Sequence, residues 1–196
     1  MQQTKQTSVF LNLAVLLAVF LAAPAIADSP SYNFVEAGYS WLNLDDGIDG
    51  DGYGLEGSFE IGDNMFAFAG YASFDADYDI DGTFWEAGLG YHTGISDNTD
   101  FFAKAYYLDQ SIDLGVFGGT QDDDGYGVGI GIRGNVTDLI ELFGEINYED
   151  IGDDAITEFG AGIRFNLSDS FALGLNASFD EDVTTYGASA RLYFGK

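Results

Sequence analysis

The chain has 196 residues, enough for one domain, with no cysteine and a formal charge of −27. The missing cysteines exclude a disulfide framework and a thiolate metal site, and acid on this scale would repel a nucleic-acid backbone. Glycine (27), phenylalanine (17) and tyrosine (12) are abundant while proline is scarce (2), a composition that suits many short strands.

The N-terminus reads apart from the rest. One charge, Lys5, precedes the compact apolar run Leu13–Ala23, and Ala25-Ile26-Ala27 has the small-x-small form cut by signal peptidase. Residues 1–27 are expected to be a cleaved secretory signal, leaving a mature domain over 28–196 that opens on Asp28. The run is short for a retained membrane helix, and no stop-transfer charges follow it. After residue 27 no stretch of roughly eighteen apolar residues occurs, so any later membrane span has to be β.

The mature sequence alternates with period two in ten segments, the spacing of strands rather than helices. In the first (34–41), Val35, Ala37, Tyr39 and Trp41 oppose Phe34, Glu36, Gly38 and Ser40. The second (53–61) sets Tyr53, Leu55, Phe59 and Ile61 against Glu56, Ser58 and Glu60. The third (66–74) is read with Phe66, Phe68, Gly70, Ala72 and Phe74 outward and Ala67, Ala69, Tyr71 and Ser73 inward. The fourth (85–92) turns Trp85, Ala87, Leu89 and Tyr91 outward and Glu86 and His92 inward. The fifth (101–107) turns Phe101, Ala103 and Tyr107 outward and Phe102, Lys104 and Tyr106 inward.

The sixth (125–134) is the plainest case, with Tyr126, Val128, Ile130 and Ile132 on one face and Gly127, Gly129, Gly131 and Arg133 on the other. The seventh (140–149) carries Glu141, Phe143, Glu145, Asn147 and Glu149 inward, and the eighth (157–165) carries Glu158 and Arg164. The ninth (171–179) and tenth (186–194) face Leu173, Leu175, Leu192 and Phe194 outward, with Arg191 inward. Loops are expected over 43–51, 75–82 and 109–123, rich in Asp. The alternate connections are mostly short turns of Asn, Asp, Ser and Gly.

Strands of this period also fit a soluble sandwich or barrel, whose apolar face would be its core. Two features favour lipid. Aromatic residues collect near both ends of the outer face: Trp41, Tyr53, Phe74, Trp85, Tyr107, Tyr126, Tyr148, Phe179 and Tyr186 at the long-loop end. Phe66, Tyr91, Phe101, Phe165, Phe171 and Phe194 gather at the other. Small and aliphatic residues lie between, which is the double girdle of a transmembrane barrel. The inner face is also too rich in glycine for an ordinary solvated surface. The expected fold is an all-β, up-and-down antiparallel transmembrane barrel of ten strands, with eight as the alternative.

The opening Ser31–Tyr39, the repeated aromatic/Gly alternation and the closing Arg191-Leu192-Tyr193-Phe194 resemble the small OmpA-like and OmpX-like outer-membrane barrel proteins of Gram-negative bacteria. The resemblance implies an outer-membrane location, extracellular loops and periplasmic termini. It implies outer-membrane lipids and lipopolysaccharide as surroundings, with the barrel assembly machinery and periplasmic chaperones as partners during biogenesis. Members usually end in an aromatic residue that this machinery reads. Here Leu192 and Phe194 are the expected signal, followed by Gly195-Lys196.

Glu36, Glu56, Glu60, Glu86, Glu141, Glu145, Glu149 and Glu158 are expected inside, against Lys104, Arg133, Arg164 and Arg191. Charges in a narrow lumen must be paired or wet. A salt-bridged plug in a barrel of structural or surface-interaction role is the first reading, and a narrow cation-preferring pore is the alternative. No cofactor is implied. Asp77, Asp79 and Asp81 before Gly82 match the first half of a calcium loop, but Gly88 stands where the closing Glu belongs, so calcium is a candidate ligand and hydrated acidic loops are the competing reading. The clusters Asp45, Asp46, Asp49, Asp51 and Asp122–Asp124 are read likewise. An enzyme is not expected, because the single histidine, His92, falls at the short-turn end without a catalytic set around it. Adhesion through the apolar loop patch Leu114–Phe117, or association with other outer-membrane proteins, is the third class considered.

Overall fold

Each strand has one face for lipid and one for a lumen, and closure of the sheet satisfies every backbone edge. A computed structural model describes residues 29–44 and 47–195. The strands are β1 (Phe34–Leu44), β2 (Ile48–Ile61), β3 (Met65–Ala76), β4 (Ile80–Ser96) and β5 (Thr99–Asp113), then β6 (Thr120–Asn135), β7 (Ile140–Ile151), β8 (Asp154–Ser168), β9 (Phe171–Phe179) and β10 (Val183–Tyr193). Consecutive strands pair antiparallel, and β1 closes on β10 from Phe34↔Tyr193 to Leu44↔Val183. The ten-strand expectation holds. The signal reading of residues 1–27, the acids Asp45 and Asp46, and Lys196 lie outside the described residues.

The short turns β2–β3, β4–β5, β6–β7 and β8–β9 share one rim with both ends of the described chain. The opposite rim carries the acidic connections. Several residues expected in loops there belong to strands, since β4 starts at Ile80, β5 runs to Asp113 and β6 starts at Thr120. Ladder pairs such as Asp109↔Asp124 and Gln110↔Asp123 continue the sheet beyond the apolar band. Asp is a poor strand former, but a hairpin already zipped below it extends readily where its carboxylates reach water.

Large apolar side chains stand outside: Leu55, Phe59, Leu89, Val128, Ile130, Leu175 and Leu192 are all more than half exposed. A water-soluble barrel would not leave a belt of this kind bare.

One strand is reversed relative to the sequence reading. In β3, Phe66 and Phe68 are buried inside at 6% exposure, Phe74 and Gly70 also face inward, and Met65, Ala69 and Tyr71 face out. Both faces of β3 are apolar, so lipid tolerates either. Its neighbour decides, because bare backbone at Gly88 and Gly90 of β4 lies under the Phe68 and Phe66 rings, and a Cβ on Gly90 would overlap the Phe66 ring. Phe66 and Phe74 therefore leave the outer girdle. The same ring-over-glycine packing recurs for Phe102 on Gly131, Tyr106 on Gly127 and Phe143 on Gly162. The inward glycines clear space for rings of the adjacent strand as well as for charges.

Candidate functional site

The lumen is built in two storeys. At the short-turn end, Arg133 of β6 and Arg164 of β8 converge on Glu141 of β7, which lies between them in the sheet. Arg133 donates from Nε and Nη2 to Glu141 Oε1 at 3.2 and 3.0 Å, and Arg164 Nη1 donates to the same oxygen at 2.8 Å. Arg164 Nε and Arg191 Nε both donate to Glu36 Oε2, at 3.2 and 2.6 Å. Glu141 is 1% exposed and the three arginines 3–6%. Rings cover the guanidinium faces: Phe34 over Arg191 at 3.4 Å, Phe143 over Arg164 at 4.1 Å and Tyr32 over Arg133 at 4.7 Å. A buried charge network of this kind is costly unless its hydrogen bonds are met; here two acids join arginines from three strands into one layer, with Arg191 Nη1 left without a partner among the described residues.

The chain before β1 completes this floor. Tyr32, 2% exposed, stacks between His92 and Phe66 with centroids 4.1 and 4.7 Å away. Asn33 is held by Glu60 in both directions: its Nδ2 donates to Glu60 Oε2 at 2.6 Å, and the Glu60 N–H donates to its Oδ1 at 2.9 Å. Burial pushes the Tyr32 phenol well above its ordinary value, so it stays protonated. Sequence reading placed Glu60 but missed Tyr32 and Asn33, since they precede the first alternating segment. The signal that could have found them is a run of polar and aromatic residues directly before a strand that starts inward with Phe34.

Above the floor is a cavity of about 320 Å³, continuing toward the long-loop rim into a second of about 350 Å³. Glu56, Glu86 and Glu149 border both. Glu145 and Glu158 line the first, with Lys104 as the base that is not part of the floor. Lys104 pairs with Glu145 at 3.0 Å, with its Nζ 5.4 Å from the Tyr106 ring and 5.8 Å from Phe68. Tyr106 Oη donates to Glu149 at 2.7 Å and Asn147 Nδ2 donates to Glu158 at 3.3 Å. Every residue expected in the charge network thus faces the lumen. They divide into a base-rich floor and an acid-rich cavity, a division that sequence spacing alone did not reveal.

His92 Nδ1 lies 3.2 Å from Asp100 Oδ2, and no partner meets its buried Nε2 among the described residues. The His92 ring lies against Tyr32, with centroids 4.1 Å apart. Asp77 and Asp79 sit in a one-turn 3-10 segment, and Asp77 accepts the Asp49 N–H at 3.3 Å. Among the described residues no three His, Cys, Asp or Glu side chains gather as a metal site. The Leu114–Phe117 patch packs partly on its neighbour, the Phe117 ring being 5.8 Å from Tyr78, while Val116 and Phe117 stay about two-thirds exposed. Leu192 and Phe194 face outward at the short-turn rim.

A family model described as outer membrane protein beta-barrel domain matches residues 13–166. Similar solved structures include the KdgM porin in complex with disordered oligogalacturonate, with TM-score 0.50, 7% identity, 83% of this chain and 99% of that chain covered. Neisserial surface protein A gives TM-score 0.45 at 16% identity over 82% of this chain and 95% of that one. The translocator domain of autotransporter NalP from Neisseria meningitidis gives TM-score 0.45 at 11% identity over 98% of both. No curated protein sequence matches. At these identities the likeness is one of fold.

Proposed function

The chain belongs to the outer membrane protein beta-barrel family and lies in the outer membrane, and from that premise we propose that it is a closed barrel of structural or surface-interaction role rather than an open pore. The observation that carries this reading is the floor: Glu141, 1% exposed, tied to Arg133 and Arg164, with Tyr32 seated beside it. A hydrated ion would have to part buried ion pairs to pass. The short-turn rim is the periplasmic one, and the acidic rim faces outward among lipopolysaccharide. The apolar belt contacts lipid. Leu192, exposed on the strand that closes the barrel, and Phe194, exposed directly after it, support recognition by the assembly machinery during biogenesis.

The protein acts without catalysis in this reading, since His92 and Asp100 have no reacting partner. A narrow cation-preferring path is the second reading, favoured by the carboxylates that line the upper cavity. Electrical recording across a planar bilayer separates the two: a closed floor leaves the trace flat, and a cation path gives steps.

A further inference from the structure

The upper cavity is short of positive charge. Glu56 and Glu86 are the two cross-strand neighbours of Gly70, and the Glu86 side chain lies over that glycine. Lys104, committed to Glu145, leaves them without an ion pair among the described residues. Among the described residues Glu149 is met by the neutral donor Tyr106, and Glu158 by the neutral donors Ser178 and Asn147. Half-buried carboxylates without counter-charge carry a desolvation cost in a narrow lumen. Four further polar atoms on residues bordering the same cavity have no hydrogen-bond partner among the described residues: Asn147 Oδ1 and Ser58 Oγ, on residues 5% and 3% exposed, and, at the floor, Tyr32 Oη and Arg191 Nη1.

The ligand chemistry follows from what is and is not gathered. No three carboxylates close on one point among the described residues, which disfavours a chelated metal ion. They are instead spread along the lumen from Glu56 to Glu149, through two connected cavities. Lys104 already shows the mode of binding, an alkylammonium held by one carboxylate with its charge over the Tyr106 and Phe68 rings. We propose that the lumen above the floor is a binding site for an aliphatic polyamine, its ammonium groups meeting Glu56, Glu86 and Glu149 and its methylenes lying along the aromatic wall. Both cavities lie on the long-loop side of the floor, so occupancy does not depend on whether the floor conducts.

Equilibrium dialysis of the full chain, refolded in detergent, against spermidine tests this. Saturable uptake of one spermidine per barrel is expected. Glu86→Gln and Glu149→Gln should each weaken it about tenfold, the scale of one charge-assisted hydrogen bond. Asp153→Asn and Glu181→Gln, acids of the rim, should leave it unchanged. Absent uptake, or uptake lost in the rim variants and kept in the lumen variants, overturns the proposal. If a lumen variant does not fold, the unmodified chain decides: intermolecular NOEs from spermidine methylenes to the Phe68 and Tyr106 rings are expected. NOEs confined to Tyr126 or Trp41 outside, or none, overturn it.

Discussion

Arg133 holds Glu141 by three hydrogen bonds of 3.0–3.2 Å at a point where the carboxylate side chain is 1% exposed. The pair joins β6 to β7 from the inside, and Arg164 and Glu36 extend it to β8 and β1. Removing the acid leaves Arg133 without its carboxylate and Arg164 with Glu36 alone, in a buried layer. Glu141→Gln should cost about 3–5 kcal/mol in denaturant unfolding of the refolded barrel. Asp153→Asn, in the exposed β7–β8 connection, should cost far less; equal costs would show that the floor is not a buried network.

Gly90 lies under the Phe66 ring, with no room for a Cβ. Gly90→Ala should destabilise the barrel by about 1–3 kcal/mol through overpacking. Adding Phe66→Ala should recover part of that cost, with a coupling of about 0.5–3 kcal/mol in a double-mutant cycle. Additive costs would contradict the packing.

The outer face graded by depth makes a third energetic prediction. Ile130→Arg, in the middle of the lipid band, should cost about 2–4 kcal/mol, and Tyr126→Arg near the rim about 0–1 kcal/mol. Unfolding in lipid vesicles measures both, and equal costs would remove the depth argument.

The orientation of β3 is checked by single cysteines, which the natural sequence permits because it has none. Tyr71→Cys, outside, should react with a bulky lipid-soluble maleimide, and Ala72→Cys, inside, should not. The reverse pattern would restore the face first read from sequence.

That strand marks where the sequence stops being legible. Nine segments announce their faces because one side holds Glu, Lys, Arg, Asn or Gly and the other is apolar throughout or nearly so. Val128 and Ile130 against Gly127 and Gly129 leave no choice. In β3 the alternation is aromatic against small, and lipid accepts both. The deciding information lies in another strand, at Gly88 and Gly90, where only register can bring it to bear. The charge network was legible as a list of inward residues. Its division into floor and cavity was not, because the height of each side chain depends on the stagger of the strands around the closed barrel. Tyr32 escaped for a different reason, since a segment outside the sheet carries no period to read.

The claim that the lumen is closed at its short-turn end is tested most directly by planar-bilayer recording of the refolded full chain in molar salt at high voltage, with Glu141→Ala, Tyr32→Ala as a double variant alongside. The natural sequence should give a flat trace and the double variant should give steps. Steady, cation-selective steps from the natural sequence would contradict a closed floor.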